Sequence, residues 1–263
     1  MNEIILLLIS IFAGFIGSLL GLGGGIIIVP VLTLYFQIDI HYAIAASLVS
    51  IVASSSGAAA GFLKDHLTNL RLAVLLEVGT VTGAITGFVL VHYIQSHYLF
   101  ILFGVFLLFS ALMMFRRRSE VLSDVNHPWS EKLNLTAGAN YKIDNVPQGL
   151  AMMYVAGALS ALLGIGSGIL KVIAMDGVMK LPIKVSSATS NFMIGVTAAA
   201  SAGAYFLKGN VRPEITAPVA IGIIIGSWVG AKVMVKMPAS LIRKIFVVVL
   251  TVVSLQMIIK GFR

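Results

Sequence analysis

Long apolar runs with almost no charge constrain this chain more than any other feature. They recur near residues 41–63, 70–92, 98–115, 148–163, 184–207, 214–235 and 239–259. Most approach or exceed the roughly 20 residues a helix needs to cross a bilayer. A water-soluble fold of 263 residues with 59% hydrophobic and 11% charged positions has too few polar groups to cover its surface. Lipid removes that requirement, and inside lipid a helix satisfies its own backbone. The runs therefore predict an all-α integral membrane protein.

The chain is also duplicated. Gly21-Leu22-Gly23-Gly24-Gly25-Ile26 recurs 143 residues later as Gly164-Ile165-Gly166-Ser167-Gly168-Ile169. The same offset pairs Val29 with Val172, Ser47 with Ser190 and Ile51 with Ile194. It also pairs the triplet Gly79, Gly83, Gly87 with Gly222, Gly226, Gly230. Two separate glycine patterns agreeing on one offset mark an internal repeat. The expected division is a first membrane repeat over 1–115, a cytoplasmic linker over 116–147 holding Arg116–Arg118 and Trp129, and a second membrane repeat over 148–263.

Each repeat opens with an apolar segment, a glycine break and a short apolar stretch, 26–36 and 169–180. Twelve helical residues reach only about 18 Å against a hydrocarbon core of about 30 Å. Each pair is thus one broken span or a re-entrant hairpin. Charge separates the two. With Arg116–Arg118 in the cytoplasm, a full broken span places Lys180, Lys184, Lys232, Lys236, Arg243 and Lys244 outside, with Lys208, Arg212, Lys260 and Arg263 inside. A hairpin inverts the second repeat and exchanges those sets, which suits the retention of cations in the cytoplasm. The expectation is two inverted repeats, each a glycine-broken re-entrant hairpin plus three transmembrane helices, with both termini extracytoplasmic.

The breaks are the first candidate site. No Gly-Lys-Ser/Thr follows them, and Ile26 and Ile169 occupy the last glycine place of a dinucleotide fingerprint, so neither familiar phosphate loop fits. Unwound backbone at Gly23–Gly25 and at Gly166, Ser167 and Gly168 would present N–H groups at the start of a short helix, where an anion is favoured. Behind each break lies a polar stretch: Ser47, Ser50, Ser54, Ser55 and Ser56 in one repeat, and Ser186, Ser187, Thr189, Ser190 and Asn191 in the other. Ser47, Ser50, Ser190 and Asn191 are candidate substrate ligands. Their bland alternative is hydrogen bonding between helices or to their own backbone. Lys171 replaces Ile28 of the first repeat, and intramembrane charge is expensive and usually functional. It is positioned to bind an anion, to pair with Asp176 or to snorkel to the surface. Asp176 and Glu77 are candidates for coupling to an ion. The four-spaced glycine triplets read as helix-packing stripes.

The absence of cysteine rules out disulfides and thiolate metal sites. No metal or cofactor is expected. No His-Glu-x-x-His, Gly-x-Ser-x-Gly or paired-carboxylate pattern speaks for an enzyme. The net charge of +8 sits between apolar runs, which suits topology and not nucleic acid.

The run Gly21-Leu-Gly-Gly-Gly-Ile-Ile-Ile-Val-Pro30-Val-Leu, followed by Ala45-Ala46-Ser47-Leu48, resembles the TauE/SafE family, also called the toluene sulfonate uptake permeases. The second copy, Gly164-Ile-Gly-Ser-Gly followed by Ala188-Thr189-Ser190-Asn191, departs from it at Ser167, at Ile173 in place of a second proline, and at Lys171 and Asp176. The resemblance implies secondary transport of small sulfur-containing or organic anions, such as sulfite, sulfonates or sulfoacetate, in a prokaryotic plasma (inner) membrane. The partners to expect are that anion, the lipid bilayer, a coupling proton or sodium ion and a second copy in a homodimer. An anion channel and a non-transporting membrane subunit or enzyme are the alternatives.

Overall fold

The computed structural model describes residues 3–20, 23–64, 68–91, 93–115, 141, 143–164 and 166–262. Most of the linker, with Arg116–Arg118 and Trp129, lies outside the described residues, as do Gly21 and Leu22. Every regular element described is helical. The first repeat comprises α1 (Glu3–Leu20), α2 (Gly25–Pro30), α3 (Ile40–Lys64), α4 (Leu70–Val91) and α5 (Ser96–Phe115). The second comprises α6 (Val146–Leu163), α7 (Gly168–Val172), α8 (Ile183–Leu207), α9 (Pro213–Lys236) and α10 (Ala239–Gly261). α2 and α7 each run on as a wide π-helical turn, Val31–Tyr35 and Ile173–Val178. The repeat extends to the hydrogen bonds that end these segments. Phe36 N–H donates to Val31 C=O (3.2 Å) and Ile38 N–H to Leu32 C=O (2.9 Å). The equivalent pair is Met179 to Ala174 and Leu181 to Met175, both 2.9 Å. Gln37 and Lys180, also equivalent, both adopt positive φ.

Local chemistry sets the boundaries. Proline opens the second-repeat helices: Pro147 and Pro213 lie in the first turns of α6 and α9, and Pro182 and Pro238 immediately precede α8 and α10. A missing N–H costs nothing there, because those groups have no helical partner. Asn69 caps α4 by accepting the Leu72 N–H at 3.1 Å. α6 begins at Val146, two residues before the apolar run at 148, with Pro147 in its first turn. The end of the linker is packed against the bundle. Tyr141, Ile143 and Asp144 are buried, and Tyr141 accepts from Asn69 Nδ2 at 2.9 Å. Burial pushes the Tyr141 phenol up to about 12, against the lowering effect of the Asn69 bond, so it is neutral at physiological pH.

The repeats interlock reciprocally. α1 packs on α9, and its equivalent α6 packs on α4; α3 lies against α8 and α5 against α10. The glycine triplets carry the first two of these interfaces, and each of their contacts has its mate 143 residues away. A Cβ on Gly79 would meet Leu150 O and on Gly222 Leu7 O; on Gly83 Tyr154 O and on Gly226 Ile11 O; on Gly87 Ala158 O and on Gly230 Phe15 O. From the opposite faces, Gly14 approaches Ile223 and Gly157 approaches Thr80. The glycines thus form packing stripes, as their spacing predicts.

The exterior is apolar. α4 exposes Val74, Val78, Ile85 and Val89, and α9 exposes Ile221, Ile225, Trp228 and Val229. The polar side chains of α8, from Ser186 to Asn191 together with Thr197 and Ser201, are buried. Leu70–Val91, Val146–Leu163, Pro213–Lys236 and Ser240–Gly261 are long and apolar enough to cross a membrane. An apolar skin over a polar interior is stable only in lipid.

Alanine at Gly83 or Gly226 would set its Cβ 2.0 Å from Tyr154 O or 1.9 Å from Ile11 O. Overpacking of this kind costs about 1–3 kcal/mol. Thermal unfolding of the purified protein in detergent is therefore expected at lower temperature for both variants. Gly203→Ala, with nothing within 4 Å, is expected to unfold with the wild type.

Candidate functional site

The two glycine breaks meet at the centre of the bundle. Gly23 and Gly24 adopt φ of 71° and 80°, and Gly164 and Gly166 adopt 69° and 67°. A side chain at any of these would be strained. Ser167 takes the same left-handed backbone at 57°, although it carries a side chain where the first repeat has Gly24. Gly25 lies so close to the other break that a Cβ there would be 2.8 Å from Gly164 O and 2.6 Å from Ser47 Oγ. Ile51 and its repeat mate Ile194 pack against Gly23 and Gly166 alike.

Broken helices leave carbonyls without helical partners, and here serines supply them. Ser47 Oγ donates to Gly164 O across the repeats (2.7 Å). Ser54 Oγ donates to Gly23 O (3.2 Å) and Ser190 Oγ to Gly168 O (3.2 Å). Ser55 Oγ reaches Asn191 O at 2.7 Å. Ser50 donates to Ala46 O one turn back and Ser167 to Gly166 O. All these side chains are buried. Among the candidate ligands, then, Ser47 joins the first repeat to the second break, Ser190 holds the start of α7 to α8, and Ser50 bonds its own helix.

Lys171 is wholly buried, so it does not snorkel. Its partner is Glu77 of α4, not Asp176: Lys171 Nζ lies 3.1 Å from Glu77 Oε2. The ammonium also donates to Thr197 Oγ1 at 2.5 Å. Thr197 donates in turn to the other Glu77 oxygen, Oε1, and stands 3.3 Å from Thr80 Oγ1. The cluster ties the short helix α7 to α4 of the first repeat and to α8. Asp176 is buried further along, in the π-helical turn. Thr197 and Thr80 are members that sequence reasoning missed. Their signal was indirect: Glu77 and Lys171 are both departures from the repeat, standing where Ala220 and Ile28 are the mates, and reciprocal packing brings such departures together.

Asn191 is placed differently from expectation. Both of its N–H bonds are spent, one on Ser18 O and one on Ser187 O, each at 3.0 Å. Its free atom is the acceptor Oδ1, which cannot donate to an anion.

An all-helical bundle with an apolar skin and a charged, polar centre is an integral membrane protein. This chain belongs to the sulfite exporter TauE/SafE family, whose model matches residues 6–257. It is 27% identical to the probable membrane transporter protein YunE of Bacillus subtilis, covering 99% of each chain. It is also 27% identical to the probable membrane transporter protein MJ0441 of Methanocaldococcus jannaschii, over 97% of this chain and 95% of that one. A third relative, the probable membrane transporter protein YdhB of Bacillus subtilis, is 26% identical over 91% and 92%. No solved structure matches the chain significantly.

Removing one partner of a buried ion pair leaves an uncompensated charge and costs about 3–5 kcal/mol, whereas replacing both with apolar groups is often close to neutral. The other repeat supplies the replacement, Ile28 with Ala220. Lys171→Ile alone is expected to lower thermal stability in detergent sharply, and adding Glu77→Ala to restore most of it. A double variant no more stable than Lys171→Ile would show that the pair is not coupled.

Proposed function

We propose that this chain is a secondary transporter for small sulfur-containing or organic anions, working by alternating access at the junction of its two glycine breaks. The observation that carries the reading is Lys171. It is a fully buried cation on the short helix beyond one break, and its hydrogen-bond partners Glu77 and Thr197 belong to other helices. Charge kept at such depth is costly and typically marks a solute or proton path. An incoming anion replaces the Glu77 carboxylate on Lys171, and Glu77, once released, is free to take a proton. Backbone N–H groups around Gly23–Gly25 and Gly166–Gly168 complete the anion site once the repeats separate. Ser47 and Ser190 then exchange their bonds to break carbonyls for bonds to substrate. The TauE/SafE membership and the names of the three relatives support transport over catalysis.

The arrangement in the membrane is part of the proposal. Gly24 lies against Ala13 and Gly17 of α1, and Ile28 and Leu32 share an apolar cluster with Leu6 and Ala13. A straight continuation of α1 would carry residue 24 about 16 Å beyond residue 13. These contacts favour a hairpin that enters and leaves on one side, hence three full spans per repeat and an inverted second repeat. Inverted repeats with broken helices are a recurrent transporter plan. The protein then sits in the plasma membrane with both termini outside. A topology reporter fused after Arg263 is expected to report the extracytoplasmic side, and a cytoplasmic signal would refute the inversion.

Function is tested by flux in proteoliposomes across a panel of sulfite, sulfonates and sulfoacetate, with and without an imposed proton gradient. At least one of these anions is expected to move saturably. Lys171→Met removes a charged hydrogen bond worth about 1.5–3 kcal/mol, so apparent affinity is expected to fall about 10–100-fold. Unchanged flux in that variant would sink the assignment of Lys171.

A further inference from the structure

Thr197 is placed to hold Glu77 in either protonation state. Glu77, Thr197 and Thr80 are all buried, as is Lys171 beside them. With Glu77 ionised, Thr197 accepts from Lys171 Nζ and donates to Glu77 Oε1, while Lys171 also donates to Glu77 Oε2. The Thr197 hydroxyl has a second acceptor in reach, the carbonyl of Met193 one turn back at 3.3 Å. With Glu77 protonated, its O–H donates to Thr197, and Thr197 turns its own proton to Met193 O. The hydroxyl oxygen has two lone pairs, so it accepts from Lys171 and Glu77 together. Neither state leaves Thr197 or Glu77 with a bare donor. The first repeat keeps the hydroxyl, as Ser54, but the mates of Glu77 and Lys171 are Ala220 and Ile28. The switch therefore exists once.

The surroundings leave the charge of this cluster to two residues. Of the helices packed against α4, α6 has no charged side chain, and its one phenol, Tyr154, is exposed. α8 brings Lys184 in its first turn, bonded to Val235 O, and Tyr205 near its end, bonded to Ala161 O. Tyr141 meets α4 at Asn69, before its first turn, and Arg71 is exposed at its start. Asp176 lies beyond Lys171, in the π-helical turn that packs on α5, α6 and α8. Among the described residues, the charge within hydrogen-bond reach is that of Lys171 and Glu77, which cancel. An anion on Lys171 adds one negative charge. Neutral Glu77 returns the cluster to zero, and an unbalanced charge at this depth is costly. A doubly charged anion would leave one negative charge over.

We infer that the coupling ion is a proton carried on Glu77, that Thr197 is the hydroxyl switch that accommodates it, and that one singly charged anion and one proton move together with no net charge. The inference rests on the anion reading of Lys171 and deepens it by naming the coupling ion and the charge class of the substrate. The chemical step is a single proton transfer, from hydronium in the water of the open side to a Glu77 oxygen, leaving water. The Lys171 N–H released by Glu77 passes to the anion. A proton needs no cavity, so the hydrogen bonds already present are the whole of its site.

The test uses purified full-length protein in proteoliposomes. The probes are methanesulfonate, which holds one negative charge at every working pH, and sulfate, which holds two. An inward acid gradient is expected to drive methanesulfonate uptake, with one proton entering per anion by a trapped pH indicator. A membrane potential of either sign, set with potassium and valinomycin, is expected to leave that rate unchanged. Sulfate is expected to enter at least about a hundredfold more slowly. In Glu77→Gln, the ratio of acid-driven net uptake to anion exchange at equal pH is expected to fall at least about tenfold, because exchange needs no change of protonation. Thr197→Val is expected to lower the same ratio about tenfold and Thr197→Ser to keep it. A purely structural role for Thr197 would lower both rates together and leave the ratio alone. Monodispersity and helical circular dichroism establish that each variant is folded, and the two Thr197 variants decide the matter if Glu77→Gln is not. Methanesulfonate uptake that ignores the acid gradient or follows the potential overturns the proposal, as does a wild-type ratio in folded Glu77→Gln or Thr197→Val. Flux of sulfoacetate without methanesulfonate overturns it too and leaves the transport reading standing. Absence of flux for every anion refutes the transport reading, and this inference with it.

Discussion

The structure depends on how two interrupted backbones are satisfied without water. A helix that stops inside hydrocarbon exposes carbonyl and N–H groups, each costing several kcal/mol if left bare. Here each break is closed partly by its own repeat, Ser54 on Gly23 O and Ser190 on Gly168 O, and partly across the repeats. Ser47 of the first repeat bonds Gly164 O of the second, and Ser55 bonds the backbone of Asn191. Ile51 and Ile194 fill the space on either side, and glycine at 25 lets the two breaks touch.

Close approach is the second constraint. α1 and α9, and reciprocally α6 and α4, come together with carbonyls seated on glycine Cα atoms. In lipid there is little hydrophobic drive between helices, so such packing carries much of the association. The same glycines leave no side chain to pin a single register. A packed interface of this kind holds two discrete arrangements more readily than a graded series, which is what alternating access requires of the repeats.

Much of this was legible in the sequence. Element boundaries followed the apolar runs to within two or three residues, because helix length in a bilayer is set by hydrocarbon thickness. The 143-residue offset foretold which elements are equivalent, and the four-spaced glycines foretold their use as packing stripes. What the sequence could not supply was partnership. Lys171 and Glu77 are 94 residues apart and meet because α4 packs against α6 and α8. Asp176 is the nearer partner in sequence, but proximity along the chain says nothing about direction once the helix widens into a π-helical turn between them. Asn191 stands out in the sequence as an amide at bilayer depth with two ends to satisfy; in the structure its donors are engaged and its acceptor is not. Which end of an amide is free depends on the carbonyls around it, and one of them, Ser18 O, comes from the other repeat.

The departures from symmetry carry the chemistry. A perfectly duplicated chain would place Ile28 and Ala220, and also Leu48, Ile44 and Ala161, in both halves, and its centre would be a neutral, apolar seal. Such a molecule would hold its breaks shut and have no reason to open. In the second repeat Lys171 puts a cation where that seal would be, answered by Glu77 from the first. The ion pair costs desolvation that apolar residues would avoid. Stability alone gives no reason to keep it. It becomes useful if the resting contact is to be traded for one with a solute, the ammonium exchanging a carboxylate for an anion. The duplicated scaffold supplies the stability against which that local cost is set.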